Sequence, residues 1–549
     1  MPQEKTCQIS GKKFTITNED IKYYKKLGVP LPTLCPEERM RRRFTHRNEK
    51  FLYKNKSAMS GEELITCYHP QCGLKVYSYD EWWGDKWDAI EYGREFDFGP
   101  KGKPFFEQFD ELQKDVPVPE LHVTRIENCP YVNYVGDSKN SYMIFGSIYA
   151  EDCMYGSPYY CKDTVDTFLS RDCELCYETI TCEKCYSCAY CQNCANSNNL
   201  TFCFDCRNCS DCIGCVGLRS KKFHIFNKKY SQEEYNKLKS ELSLCNPEQR
   251  KIIEDNFNAL KKQMPQRWMI SVNTENCEGN YIYESKNCHD CFDVKRSEDC
   301  SYSAQVIDMK DCYDNNYTEE NELCYEYLGY YRNKNCVYSM TCYGSSDLKY
   351  SAYCMNCNDC FGCIGLRHKK YCIFNKQYTK KEYEELRDRI IEHMKKSGEW
   401  GEFFPASISP FGYNETVANE YAPMTKEEAV GRGYKWREAD PKEFKKQEIV
   451  VPEDIKEVPD SIVNEILACS DCGKNYKIIA KELKFYQKLN IPIPKKCFVC
   501  RHMDRLALRN PRNLWERDCD RCHSGIKTSF DTKSPEKVYC ESCYLNDVV

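Results

Sequence analysis

Small residues recur at every third position of residues 288–363. In order they are Cys, Cys, Val, Ser, Cys, Ser, Val, Met, Cys, Asn, Thr, Asn, Cys, Tyr, Tyr, Asn, Cys, Ser, Cys, Ser, Leu, Ser and four Cys. The two positions between them carry the charges and most of the tyrosines. A second period contains the first: cysteine stands at 288, 300, 312, 324, 336 and 360, with Leu348 filling the remaining place. Residues 161–215 repeat the pattern, with five cysteines from 182 to 194 and five more from 203 to 215. A helix needs apolar spacing of 3.6 and a flat strand needs 2, so neither fits. A period of three nested in twelve predicts a narrow coil with four short sides and one inward residue per side. Coils stacked at a strand spacing of about 4.8 Å pair their backbones from turn to turn. The fold class expected is mainly β and multi-domain, with two 12-residue, Cys-rich β-solenoids.

Such a bore admits only small side chains, which by itself selects Cys, Ser, Thr, Val and Asn, so the thiols are expected to serve as compact core residues. Outward positions should tolerate change, Asp314 and Glu326 among them. The tyrosine pairs 313/325, 331/343 and 338/350 lie one coil apart and are expected to form ladders that face a partner. Pentapeptide-repeat helices, with five residues per side, are built on similar logic.

Each coil region ends alike: NCSDCIGCVGLRSKKFHIFNKKYSQEEY (208–235) matches NCNDCFGCIGLRHKKYCIFNKQYTKKEY (356–383). Ser231-x-x-Glu234 and Thr379-x-x-Glu382 are capping boxes that open helices. A helix lying across the last coil would shield a sheet edge open to other chains. Another helix opens at Asn246-Pro247. The domains expected are a degenerate ribbon-like module (1–60), a Trp-rich second module (61–122), a first solenoid (123–222), and a helical cap with linker (223–270). A second solenoid (271–370), a helical cap (371–400), a partly ordered connector (401–460) and two zinc ribbons (461–510 and 511–549) follow.

Composition sharpens this picture. The 549 residues include 41 cysteines and 42 tyrosines. The N-terminus MPQEKTCQISGKKF has no apolar export segment, and no run of 18 apolar residues occurs. The expectation is a cytoplasmic protein off the membrane, its thiols reduced and either packed or metal-bound.

At the C-terminus, Cys469-x2-Cys472 precedes Cys497-x2-Cys500, and Cys519-x2-Cys522 precedes Cys540-x2-Cys543. Each CxxC is a knuckle, and two knuckles complete a tetrahedral site with no open position, structural rather than catalytic. Two structural zinc ions are expected. The segment CSDCGKNYKIIAKELKFYQKLNIPIPKKCFVCR resembles bacterial zinc-ribbon domains of the pattern CxxCGxxF…E-x-x-FY…P-x-x-CxxCR, which implies zinc binding and no activity. The whole layout, including FFPASISPFGYNET (403–416), resembles cysteine-rich bacterial proteins with flanking zinc ribbons.

Residues 7–43 align without a gap on residues 469–505, at an offset of 462. Ser10 stands for Cys472 and Glu38 for Cys500, so no zinc is expected there. KVYSYDEWW (75–83) echoes KVYCESCY (537–544), with Ser78 for Cys540 and Glu81 for Cys543. In that second module an aromatic core of Trp82, Trp83, Trp87, Phe105, Phe106 and Phe109 is expected to replace the metal.

Two further sets of candidates remain. Cys206, Cys209, Cys212 and Cys215 would form one inward coil, and Cys354, Cys357, Cys360 and Cys363 its equivalent. Either set would suit zinc, copper(I) or an iron–sulfur cluster. Charge is uneven: residues 1–56 carry 14 Lys+Arg against 6 Asp+Glu, and residues 461–517 carry 12 against 5, in a chain of net charge −5. Arg41, Arg42, Arg43, Lys495, Lys496, Arg501, Arg505 and Arg509 are therefore candidates for contact with RNA, DNA or a protein, or for docking on the acidic middle. No phosphate-loop, zincin, hydrolase-elbow or dinucleotide motif occurs. The leading expectation is a zinc-binding, non-catalytic scaffold with a protein partner. The alternatives are a metal-handling or redox protein that uses the four-cysteine coils, and a nucleic-acid binder that uses the basic ribbons.

Overall fold

The computed structural model describes all residues except 100, 101, 179, 181–185, 439–443 and 549; the inward positions expected at 179, 182 and 185 lie outside the described residues. The molecule is mainly β and multi-domain. Residues 123–229 and 271–377 build two large, mainly parallel sheets of 11 and 13 strands among the described residues. Neighbouring strands advance by twelve residues: Cys176 lies opposite Cys188, Leu200 opposite Cys212, Cys288 opposite Cys300, and Cys300 opposite Cys312. The first sheet departs from this near Gly156, where Met154 lies opposite Val165 and the register slips.

The period of three has a backbone cause. From Asn287 to Glu320 every third residue is left-handed, with φ between 48° and 59°. Each of these residues immediately precedes an inward one. Left-handed backbone costs most side chains about 1–2 kcal/mol, and Asn and Asp bear it best. That explains why Asn287, Asp290, Asp293, Asp299, Asp308, Asp311 and Asp314 hold such places. Stacked side chains recover part of the cost: Asn287 donates to Asp299 at 2.8 Å and Asn199 to Asp211 at 3.1 Å, each one coil on.

The inward positions are buried as expected. Cys288, Cys300, Cys312, Cys324, Cys336, Leu348 and Cys360 are fully enclosed. Their thiols do not sit idle. Cys324 donates to the Glu322 carbonyl at 3.4 Å, and inward Ser339 makes the same bond to Val337 at 3.0 Å.

Two expectations about the outer faces need correction. Asp314 and Glu326 are 0% exposed, because arginines from the N-terminal module reach them. Of the tyrosine pairs, Tyr338 and Tyr350 stack with rings 4.9 Å apart, and Tyr331 and Tyr343 meet edge to face at 4.9 Å. Tyr325, Tyr338 and Tyr350 are nevertheless fully buried, and Tyr23 stacks on Tyr313 at 3.8 Å. The chain itself covers this face.

The helices Gln232–Glu241 and Lys380–Ser397 open with the predicted capping boxes at Ser231 and Thr379, and Asn246 caps Pro247–Gln263. The first two lie against the last parallel strands, Lys222–Ile225 and Lys370–Ile373. Those strands straddle the boundaries expected at 222 and 370. Residues 401–422, placed in a partly ordered connector, are instead packed: Phe403, Phe404, Phe411 and Tyr413 are buried.

The two ends of the chain are built alike, element for element. The hairpin Gln3–Thr6/Lys13–Ile16 and the helices Asn18–Leu27 and Pro36–Phe44 correspond to the hairpin Leu467–Ala468/Asn475–Tyr476 and the helices Ala480–Leu489 and Phe498–Ala507, at the offset of 462. The match continues without a gap. Hairpin Tyr53–Lys56/Glu63–Thr66, strand Val76–Tyr77 and helix Tyr79–Trp83 correspond to Trp515–Asp518/Gly525–Thr528, Val538–Tyr539 and Glu541–Val548. The second N-terminal module therefore begins before residue 61.

Candidate metal centres and the arginine clamps

The four thiols of Cys469, Cys472, Cys497 and Cys500 lie within 4.8 Å of one another, as do those of Cys519, Cys522, Cys540 and Cys543. Each knuckle is a tight turn that aims two sulfurs at one point. Gly473 holds φ 71° in the first turn and His523 holds φ 57° at the equivalent place in the second. The second knuckle of the first group opens a helix at Phe498, with Cys497 as its cap residue. Cys472 and Cys497 sulfurs are 3.7 Å apart, and so are those of Cys522 and Cys540. A tetrahedral ion at a metal–sulfur distance of about 2.3 Å sets its ligands about 3.8 Å apart, so the donor set fits one four-coordinate metal in each group.

In each group one thiol is drawn down and another pushed up: burial raises Cys497 and Cys500 in the first and Cys543 in the second. Burial pushes Cys469 up, but the backbone N–H groups of Cys472, Cys497 and Asp471 outweigh it and bring the thiol down to about 6. The Ser542 hydroxyl, aided by the Cys543 amide, draws Cys540 down to about 6. Thiolate is the ligating form, so both environments favour metal capture.

The coil cysteines are arranged differently. Among the described residues, Cys206, Cys209, Cys212 and Cys215, and Cys354, Cys357, Cys360 and Cys363, do not converge on a point as the C-terminal quartets do. Each donates instead to the carbonyl two residues before it, at 3.3–3.6 Å.

At the N-terminus the ligand positions hold other groups. Ser10 Oγ lies 3.7 Å from Cys35 Sγ, and the Glu38 carboxylate turns to Arg41 and Arg432. In the second module the four positions are Ser57, Ser60, Ser78 and Glu81. Glu81 accepts from the Ser57 hydroxyl and, at 2.9 Å, from the Ser78 amide. Against the opposing effect of burial, these bonds and one with Ser60 bring Glu81 down to about 2. A polar knot therefore closes this module, in addition to the expected aromatic core. Trp82, Trp87, Phe105, Phe106 and Phe109 are buried, but Trp83 is 42% exposed. Extending the offset of 462 past residue 43 is the signal that finds Ser57 and Ser60.

The basic residues divide into two groups. Arg39 and Arg43 grip Asp314 at 2.9 and 3.0 Å, and Arg43 and Arg42 both reach Glu326 at 2.9 Å. Arg501 and Arg505 reach Asp166 at 2.8 and 3.2 Å. Arg509 and Arg512 reach Asp293. The guanidinium of Arg47 lies 3.6 Å over the Tyr134 ring, and that of Arg509 lies 3.9 Å over Tyr281. Arg42, Arg43, Arg501, Arg505 and Arg509 thus spend their charge inside the molecule, while Arg41 is partly buried against Glu38. Lys495 and Lys496 stay near the surface, paired with Glu453 and with Asp471 and Asp504. Among the described residues, no helix is long and apolar enough to cross a membrane.

No family model matches the sequence, and no curated protein matches it. A crystal structure described as an acetyltransferase from Desulfovibrio desulfuricans G20 aligns over 48% of this chain and 69% of that one. The identity is 8% and the TM-score 0.10, too low to support any inference.

Proposed function

We propose that the chain is a zinc-binding, non-catalytic scaffold in which two 12-residue β-solenoids are clamped by ribbon modules from both ends of the sequence. The observation that carries this reading is the pair of four-thiol groups, each closed by its own knuckles, the first of them fused to a helix whose Arg501 and Arg505 enter the adjoining sheet. Four sulfurs complete a tetrahedral ion and leave no site for water or substrate, so the metal's role is to fold the module. Zinc is the metal that suits a tetrahedral all-thiolate set with no redox task. A protein partner is supported by Tyr131, Tyr149 and Tyr160, which are about half exposed and include a stacked pair with rings 4.9 Å apart. The nucleic-acid alternative rests mainly on Lys495 and Lys496, since most of the arginines proposed for it are consumed internally.

Elemental analysis of the full chain, purified without added metal, tests the reading. Two zinc ions per chain, with neither iron nor copper, is the expected result. Four metals per chain, or iron with inorganic sulfide, would move function to the coil cysteines.

A further inference from the structure

The two sheets enclose a cleft with a volume of about 180 Å³. At about 15 Å³ per water-sized site, that is room for roughly a dozen ligand atoms. Equivalent positions of the two repeats form its walls. One wall is the column Gly136, Ile148, Tyr159 and Arg171, each residue paired across the sheet with the next. The other is Lys295, Ile307, Glu319 and Tyr331, paired in the same way. The columns run in opposite directions: Arg125, next to Thr124 at one end, bonds with Tyr331, while Tyr160 at the other end lies in the field of both Arg171 and Arg296. Arg171 and Lys295 therefore share one end. Glu319 lies two coils from Lys295, about 10 Å along the wall.

Small residues keep the space open. Gly136, Gly146, Ser147 and Ser157 stand where the second repeat carries Tyr283, Asp293, Val294 and Gln305. Much of the remaining lining is aromatic, with Tyr134, Tyr159, Tyr317, Tyr330 and Tyr331. Two of these rings already hold a cation: the Arg47 guanidinium lies 3.6 Å over Tyr134 of the first sheet and 4.1 Å over Tyr317 of the second.

The charges on the walls are answered within the protein, with one exception. Arg47 pairs with Glu49 at 2.7 Å, and Asp293 pairs with Arg509 and Arg512. Arg171 and Lys295 each have partners in the chain. The Glu319 carboxylate has neither an ion pair nor a hydrogen bond among the described residues, and the charge that acts on it is that of Glu320, of like sign. Burial, with that repulsion, pushes Glu319 up to about 7. The buried Oε1 of Gln305, also in the lining, is a second acceptor without a partner among the described residues.

We propose that this cleft binds a small organic ammonium ion, with its apolar ring body between Ile148 and Ile307 and its charged nitrogen toward Glu319. Two unanswered acceptors call for a ligand that donates, and a cation supplies the partner that the carboxylate lacks. Tyrosine faces attract a cation further. A neutral guest would leave Glu319 shut in without a counter-charge, and an anion would oppose it. The inference is independent of the identity of the metal.

The test uses the metal-replete full chain and three probes that share one ring system: tryptamine, a cation at neutral pH; 3-ethylindole, its neutral counterpart; and indole-3-propionate, its anionic one. Isothermal titration calorimetry should give one tryptamine per chain, bound about tenfold or more tightly than 3-ethylindole, with the propionate weaker still. Glu319→Gln keeps the size and removes the charge. It should cut tryptamine affinity about tenfold or more and leave 3-ethylindole unchanged. Ile148→Trp, which fills the middle of the cleft, should abolish binding of both, with circular dichroism and metal content unchanged. Tryptamine binding that survives Ile148→Trp in a folded chain would overturn the site, as would a native chain that binds no tryptamine at millimolar probe. Equal affinity for tryptamine and 3-ethylindole, tighter binding of the propionate, or indifference to Glu319→Gln would overturn the cation. Glu319→Gln decides on its own should Ile148→Trp fail to fold.

Discussion

Asp314 and Asp166 lie 148 positions apart, at equivalent places in the two sheets, and each receives two arginines spaced four apart on a helix. Arg39 and Arg43 come to Asp314 from the N-terminus, and Arg501 and Arg505 come to Asp166 from the C-terminus. The helix Pro36–Phe44 thus docks on the second sheet and the helix Phe498–Ala507 on the first, while Arg509 and Arg512, just beyond the latter, reach Asp293 of the second sheet. The swap ties the two ends of the chain to opposite halves, so neither sheet is held only by its own neighbours in sequence.

A buried pair need not be a large net stabiliser, but removing one partner strands the other in a dry interior at a cost of about 3–5 kcal/mol. Asp166→Asn should therefore lower the urea midpoint strongly and make residues 461–510 susceptible to protease while zinc is retained. Equal protease sensitivity in the variant and the native chain would show that the clamp does not hold the module down.

Each quartet should load independently. Cys497→Ser is expected to lose one of two zinc ions and to loosen residues 469–510, because such modules fold only around metal. Cys540→Ser should lose the other ion. Elemental analysis checks the stoichiometry, and loss of both ions from either variant would show that the two modules fold as one unit.

The inward rule now has a hydrogen-bond basis. Cys324→Ser can keep the bond to Glu322, as Ser339 does to Val337, and should cost less than about 1.5 kcal/mol. Cys324→Leu overfills the fully buried position and should cost about 1–3 kcal/mol, and Cys324→Arg more, since it also buries a charge. Thermal unfolding ranks the three. Equal damage from Ser and Arg would mean that the thiol has a covalent or metal partner.

The twelve-residue period could be read from the sequence because one residue in three had to be small, and the structure carries it as parallel strands that advance by twelve with the inward position buried. The cysteine quartets could be read because a knuckle fixes its spacing locally. What covers each outer face could not be read in this way. Asp314 and Glu326 look like any outward acid until the fold brings Arg39, Arg42 and Arg43 across some 270 residues of intervening sequence. Tyr325 and Tyr350 look like exposed ladder rungs for the same reason, since burial from outside leaves no period in the strand itself. Ser57 and Ser60 were in plain view, but only as partners in a repeat whose ligands had changed.

Acid should weaken the fold through His46. Burial, more than repulsion from Arg42, brings its imidazole down to about 4, although its Nε2 lies 3.2 Å from the Phe404 carbonyl. The unfolded chain takes up this proton near the ordinary value of about 6.5 and the folded chain only near 4. The contribution is therefore complete above 6.5 and is lost as pH falls toward 4. Between pH 7 and 5 it amounts to about 2 kcal/mol. His46→Gln should show correspondingly less loss over that interval in urea unfolding, and the comparison with the native chain cancels any shared effect of acid on the metal thiolates. Parallel pH curves for the two proteins would exclude His46 as the cause.

The polar knot of the second N-terminal module predicts a gain rather than a loss. Ser57, Ser60, Ser78 and Glu81 stand where Cys519, Cys522, Cys540 and Cys543 converge, on the same elements in the same order. Glu81 already draws the three serines toward one point. Gly61 keeps the left-handed turn, with φ 80°, that His523 provides in the four-cysteine copy. The backbone of a ribbon is therefore in place, and only the ligands differ. Replacing all four residues by cysteine should give a chain that binds three zinc ions instead of two, with the new ion removable by chelator. Restoring two or three thiols should not suffice, because a structural site closes with four ligands. Replacing Glu81 alone by Cys should be harmful, since it removes the acceptor that holds the buried Ser57 hydroxyl and the half-buried Ser78 amide, at about 1–3 kcal/mol for the buried donor left unpaired. The decisive measurement is zinc per chain across the series of single, double and quadruple variants. A quadruple variant that folds but stays at two zinc ions would show that this module has lost the backbone of a metal site as well as its ligands.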